Sequence, residues 1–157
     1  MTDEEAETVR DYSGAAYHSI NAALRGDESE TPKLRTQIAL IDSALAKSMT
    51  SSDLILFRGV DGDAAALLIA SGLRAGAILR DPAFVSTSLS RTVALRFAAF
   101  PPGGLMYQIT VPAGSIALDA TPYSQYATEQ EYILPRDCAM RVIGVNAATR
   151  TIELELV

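Results

Sequence analysis

The chain has 157 residues, 48% of them hydrophobic, which is the length of one ordinary domain with enough apolar surface for a packed core. Thirteen Lys and Arg against nineteen Asp and Glu give a formal charge of -6, which argues against nucleic-acid binding and leaves room for a small anion held by one or two placed arginines. One cysteine, Cys138, and one histidine, His18, exclude an internal disulfide and a zinc cluster.

The acidic start, MTDEEAETVRDYSG, lacks the apolar stretch of a signal peptide, and no apolar run reaches membrane-spanning length. The expectation is a soluble protein acting in a cytoplasm, its own or that of a target cell after delivery. A first helix is predicted from Glu4 to Arg25, with Val9, Ala16, Ile20 and Leu24 toward the core and Gly26 as its stop. Thr31-Pro32 reads as the N-cap and first position of a second helix, whose apolar face is Leu34, Ile38, Ile41 and Leu45. Residues 1–50 thus form a helical part. From residue 53 the texture becomes β-rich. Strands are predicted at 54–57, 83–90, 105–111, 115–120, 131–134, 139–145 and 151–157, with short helices at 63–71 and 91–100, the second closed by Pro101-Pro102. Helices first and strands later, without βαβ alternation, predict an α+β fold in a single domain, 1–157.

Three short motifs fall at strand edges. Arg58-Gly59 follows the apolar run LILF; a buried arginine needs a partner, either a carboxylate of the protein or an anionic ligand. Ser86-Thr87-Ser88 ends a strand, where hydroxyls either bond to backbone or hold a carboxylate in place. Glu129-Gln130-Glu131 opens the run EYIL. Strand alternation would send both acids to one face, where like charges need water or a purpose.

In that order these motifs resemble the bacterial-toxin type of mono-ADP-ribosyltransferase, the Arg/Ser/Glu class that includes the clostridial actin-modifying toxins. The resemblance also covers DYSGAAYHSINAALRG, FVSTSLSRTVALRFA, GLMYQITVPAGS and EQEYILPRD, nearly end to end. It implies N-terminal helices followed by two packed, mostly antiparallel β-sheets with an NAD cleft between them. It implies NAD as co-substrate, no metal, transfer of ADP-ribose to an arginine of a target protein, and release of nicotinamide. By resemblance Glu131 is the acid beside the ribose, Ser86 orients it, Arg58 contacts the phosphates, the Gly59 backbone meets the nicotinamide amide, and Thr87 and Ser88 support the strand. Tyr17 and Asn21, with Tyr12, match the NAD-contacting helix. Tyr123 and Tyr126 match the loop that reaches the target protein. Glu129 matches the acceptor-side acid, and glutamate there accompanies arginine acceptors. A carboxylate beside a guanidinium can attract it and take its proton.

The chain departs from the family pattern in two places. DPAF, 81–84, has no Asn before Ser-Thr-Ser, and Arg91 or Arg96 would have to replace a second NAD-contacting arginine. Phe97 and Phe100 fit either helix packing or contact with nicotinamide. His18 reads as a helix-flank residue and Cys138 as a small buried hydrophobe. The expected role is a toxin or effector domain, or a phage-encoded modifier of host proteins, with a possible delivery domain or immunity partner. An NAD glycohydrolase, and a silent binding module of the same fold, are the alternatives.

Overall fold

A computed structural model describes residues 1–98 and 103–157; the expected positions of Phe100 and of the Pro101-Pro102 helix stop lie outside them. Helix α1, Asp3–Asp11, starts in a capping box: Glu5 N donates to Thr2 Oγ1 at 3.2 Å and Thr2 N donates to Glu5 Oε2 at 2.7 Å. The other Glu5 oxygen accepts from Lys47 Nζ at 2.5 Å and Ser43 Oγ at 2.6 Å. Lys47 first, then Ser43 and the Thr2 backbone, hold this carboxyl at about 2. One acid therefore both begins the first helix and ties it to helix α3, Pro32–Ala46, which opens on the Thr31 cap and Pro32 as expected.

The continuous helix expected over Glu4–Arg25 is interrupted. A π-helical turn, Tyr12–Ala16, separates α1 from α2, Tyr17–Arg25, and Gly26 closes α2 at φ 82°. In a π turn residue i aligns with i+5 rather than i+4. Tyr12 and Tyr17 therefore share a face, with ring centroids 6.3 Å apart in an edge-on pair. Their five-residue spacing suggests different faces only if the helix is regular.

The β-rich part contains β1 (Leu54–Val60), helix α4 (Gly62–Ala70), β2 (Ile78–Arg80), β3 (Val85–Ser88), helix α5 (Arg91–Ala98), β4 (Leu105–Val111), β5 (Leu118–Asp119), β6 (Glu131–Leu134), β7 (Ala139–Asn146) and β8 (Thr151–Leu156). The strands follow the order β2-β7-β8-β4-β1-β3-β6-β5. All pairs are antiparallel except β4 with β8. β1 meets β3 at one register pair, Phe57↔Ser88, so the ladder is nearly divided into a five-stranded half and a three-stranded half. The two halves share one core: Val85 and Leu134 of the smaller pack with Leu56, Ile109, Val142, Ile152 and Leu154 of the larger. The opposite face of the smaller half, with Phe84 and Ile133, buries itself against Tyr12, Ile20, Ile38 and Ile41 of the helices. This is the expected α+β arrangement. Strand β2 escapes sequence reading because three residues between turns show no periodicity. The strand expected at 115–120 shortens to β5, because Ser115 and Ala117 bond to the backbone of Thr50 and Ser48 instead.

Helix α5 crosses β1 at Gly59. A Cβ there would strike the Ala94 carbonyl oxygen and lie 2.5 Å from Ala98 N and 2.8 Å from Phe97 Cβ. Gly59 borders the site described below, but the contact that demands glycine is the helix backbone. Gly59→Ala is expected to cost about 1–3 kcal/mol by overpacking, read as a lowered urea midpoint with unchanged slope.

Candidate active site

One face of the small half-sheet, the end of β1 and the first helical layer enclose a cavity of about 500 Å³. Register puts the key groups there. Ser88 lies opposite Glu131, and Ser86 opposite Ile133, so Ser86, Ser88 and Glu131 project from one face toward the helices. Thr87 projects the other way. It borders the cavity, where the cofactor-binding residues expected from the resemblance include it, and its hydroxyl donates to the Tyr132 carbonyl at 2.8 Å, bracing β3 against β6.

Glu131 is only 8% exposed, and its Oε2 has no hydrogen-bond partner among the described residues. Burial raises its pKa above the ordinary carboxylate value, the Ser13 and Ser86 hydroxyls oppose that, and the charge of Glu129 adds to it. The Ser86 hydroxyl itself donates to Tyr12 Oη at 3.1 Å, and Asn21 Nδ2 donates to the same phenol oxygen at 3.0 Å. Tyr12 is thus a core residue that joins β3 to α2 through one buried oxygen. Burial raises its pKa.

Glu129 reaches the same cavity by a different route from the strand alternation expected. It ends a 3₁₀ turn, Ala127–Glu129, and Gln130 adopts φ 47° before β6 begins. Both acids line the cavity, but a left-handed residue between them sets the angle. Ser88 Oγ donates to the Glu129 carbonyl at 2.5 Å and accepts from Ser90 N at 2.9 Å, which pins this turn to the start of α5.

Arg58 lines the cavity and donates through one terminal nitrogen to the Ser86 carbonyl at 2.9 Å. Among the described residues no carboxylate pairs with it. The ion-pair alternative for Arg58 therefore has no partner there, and its charge faces the cavity. Tyr17 and Asn21 line the helical wall. Burial, then Glu129 and Glu131, raise the Tyr17 pKa. Asn21 is 5% exposed, and its Oδ1 has no partner among the described residues.

The aromatic residues divide. Tyr126 is 52% exposed and stands at the cavity mouth, as does Phe97 at 54%. Tyr123 instead packs against the helical core and does not line the cavity. His18 stacks on Tyr17 with centroids 3.9 Å apart. Cys138 packs beside the main core, where burial pushes its thiol up to about 11.

Sequence reading missed Ser13 and Arg25. The π turn brings Ser13 in, and no regular-helix pattern could have placed it. Arg25, at the rim, is the second arginine of the cavity, whereas the exposed Arg91 and Arg96 do not line it. Arg25 binds Asp81 through Nε at 3.1 Å and Nη2 at 2.7 Å. Asp81 belongs to the DPAF segment that departs from the expected pattern, so that segment orients an arginine. Among the described residues there is no cluster of metal-ligating side chains, and no helix is long and apolar enough to cross a membrane.

The chain as a whole is similar to known proteins. Residues 1–156 match the family described as ADP-ribosyltransferase exoenzyme. A curated relative from Enterococcus faecalis, NAD(+)–arginine ADP-ribosyltransferase EFV, is 26% identical over 143 residues, which is 87% of this chain and 28% of that protein. A second curated relative, from Vibrio splendidus, is 26% identical over 159 residues, 93% of this chain and 61% of that one. The chain therefore spans less than two thirds of either relative. Among solved structures, Plx2a, an ADP-ribosyltransferase toxin from Paenibacillus larvae, superposes with a TM-score of 0.82 at 23% identity, covering 100% of this chain and 87% of that one. Vis toxin, an ADP-ribosyltransferase from Vibrio splendidus, gives 0.76 at 25% identity, covering 99% and 74%. With a match running from the first residue to the last but one, this chain belongs to the ADP-ribosyltransferase exoenzyme family.

Proposed function

We propose that the protein is an NAD-dependent mono-ADP-ribosyltransferase acting on arginine side chains of a target protein. The observation that carries this reading is the convergence of Arg58, Ser86, Glu129 and Glu131 on one cavity of about 500 Å³, although they are spread over more than seventy positions of the chain. The residues suit a dinucleotide. Arg58, without a carboxylate partner among the described residues, offers planar donors to a phosphate, and Arg25, held by Asp81, adds positive charge at the rim. Among the described residues, the buried acceptors at Asn21 and Glu131 lack donors, which ribose hydroxyls or a carboxamide would supply.

Cleavage of the bond between ribose and nicotinamide develops positive charge on the ribose. The Glu131 carboxylate lies in a poorly solvated wall, where its charge acts strongly on that centre. Nicotinamide leaves as a neutral molecule because its ring nitrogen regains an electron pair. Glu129, nearer the mouth, would hold the incoming guanidinium and accept its proton. A cation between the two acids would also relieve their repulsion. Tyr126, exposed beside them, offers an aromatic anchor to the protein carrying that arginine. The Enterococcus relative is named for the same arginine specificity.

The test is incubation with NAD and agmatine as a minimal guanidine acceptor, followed by mass spectrometry. ADP-ribosyl-agmatine and nicotinamide in equal amounts are expected. Free ADP-ribose alone would replace this reading by NAD hydrolysis, and no NAD consumption or binding would reduce the protein to a docking module.

A further inference from the structure

Ser86 and Ser88 leave β3 on one face, yet their hydroxyls serve different partners. Ser86 Oγ meets Tyr12 Oη at 3.1 Å. Ser88 stands opposite Glu131 in the register, but its hydroxyl donates to the backbone carbonyl of Glu129 at 2.5 Å and accepts from Ser90 N at 2.9 Å. A serine hydroxyl carries one hydrogen. That of Ser88 is committed to Glu129, so Ser88 lines the cavity without a donor left for a ligand. One residue further, Leu89 N donates to the Gln130 carbonyl at 3.2 Å. The junction between β3 and α5 thus grips two consecutive carbonyls of the turn that carries Glu129.

That turn is short. Glu129 N bonds the Tyr126 carbonyl at 2.9 Å and Gln130 N the Ala127 carbonyl at 3.2 Å, and a single 3₁₀ turn holds itself weakly. Gln130 stands at φ 47° and ψ 50°, a conformation glycine adopts freely and other residues at a cost. Its side chain is exposed and does not line the cavity, so its backbone is what bears on the site. An extended residue there would prolong β6 and carry Glu129 off the turn.

We propose that Ser88 and the left-handed Gln130 are positioning residues for Glu129: together they fix the angle between the two acids, and so decide whether a guanidinium or water attacks the ribose. This inference rests on Glu129 being the acceptor-side acid. In transfer, the bond from ribose to the nicotinamide nitrogen breaks, a bond to a guanidine nitrogen forms, and Glu129 takes the proton that nitrogen loses. With Glu129 displaced, water fills the same place and free ADP-ribose results.

The experiment supplies NAD and agmatine to the wild type, Ser88→Ala, Ser88→Thr, Gln130→Val and Gln130→Gly, and measures both products. Ser88→Ala removes the hydroxyl, and Gln130→Val puts a β-branched residue where the backbone is left-handed. Each should lower the ratio of ADP-ribosyl-agmatine to ADP-ribose about tenfold, with KM for NAD within a few-fold. Ser88→Thr keeps the hydroxyl and Gln130→Gly the backbone, so both should keep the wild-type ratio. Ser88 is buried whereas Gln130 is at the surface, so the Gln130 pair decides the matter if a Ser88 variant fails to fold. An unchanged ratio in Gln130→Val, an equal fall of both products, or the same loss in Gln130→Gly overturns the inference. A wild type that forms no ADP-ribosyl-agmatine would instead refute the acceptor reading itself and the clamp's role with it, so the wild-type reaction tells the two failures apart.

Discussion

Glu131→Gln is expected to lower kcat for nicotinamide release by about 10³-fold while leaving KM for NAD within a few-fold. The substitution keeps the size of the side chain and removes only its charge. In water such a charge would matter little, but here the carboxyl is 8% exposed and flanked by few donors, so little solvent screens it. The same burial lifts its pKa, and Glu129 lifts it further, so activity should fall off on the acidic side at a pH above the usual carboxylate range. The sign follows from the chemistry: the ionised form stabilises the ribose cation, and a raised pKa postpones ionisation to higher pH. The measurement is initial nicotinamide release across pH 4–9. A Gln variant that retained a tenth of the wild-type kcat would remove Glu131 from the chemistry.

The second large effect separates the two acids. Glu129→Gln is expected to reduce transfer to agmatine by about 10²–10⁴-fold, the range for removing a general base, while hydrolysis of NAD to free ADP-ribose continues. Glu129 sits on the 3₁₀ turn toward the mouth, and Ser88 holds that turn by its backbone, so exchanging the side chain should leave Glu131 in place. The ratio of ADP-ribosyl-agmatine to ADP-ribose reads the effect directly. Equal loss of both products would place Glu129 in NAD binding instead.

The individual elements differ in how far residues announce them. Helix α3 is legible in full: Thr31 and Pro32 begin it, and Ile38, Ile41 and Leu45 repeat at helical spacing into the core. The α+β class follows from the order of helical and β-branched segments. Arg58 stands out because four apolar residues lead into a charge. The π turn has no comparable signature, since its residues, Tyr-Ser-Gly-Ala-Ala, also fit a regular helix. Gly59 shows the converse case, where the residue is conspicuous but its principal reason, the α5 backbone, lies thirty-five positions or more along the chain.

The amino-acid sequence by itself determined which groups were available and where most helices and strands would lie, because those depend largely on neighbours within a few residues. It also carried, in the order of its short motifs, the family to which the chain belongs. Only the tertiary structure decided which oxygens face one another. Register set Ser88 opposite Glu131, the π turn brought Tyr12 against β3 and Ser13 to the cavity wall, and Asp81 drew Arg25 to the rim. Those outcomes depend on contacts between residues forty or more positions apart, and a local pattern of side chains holds no record of them.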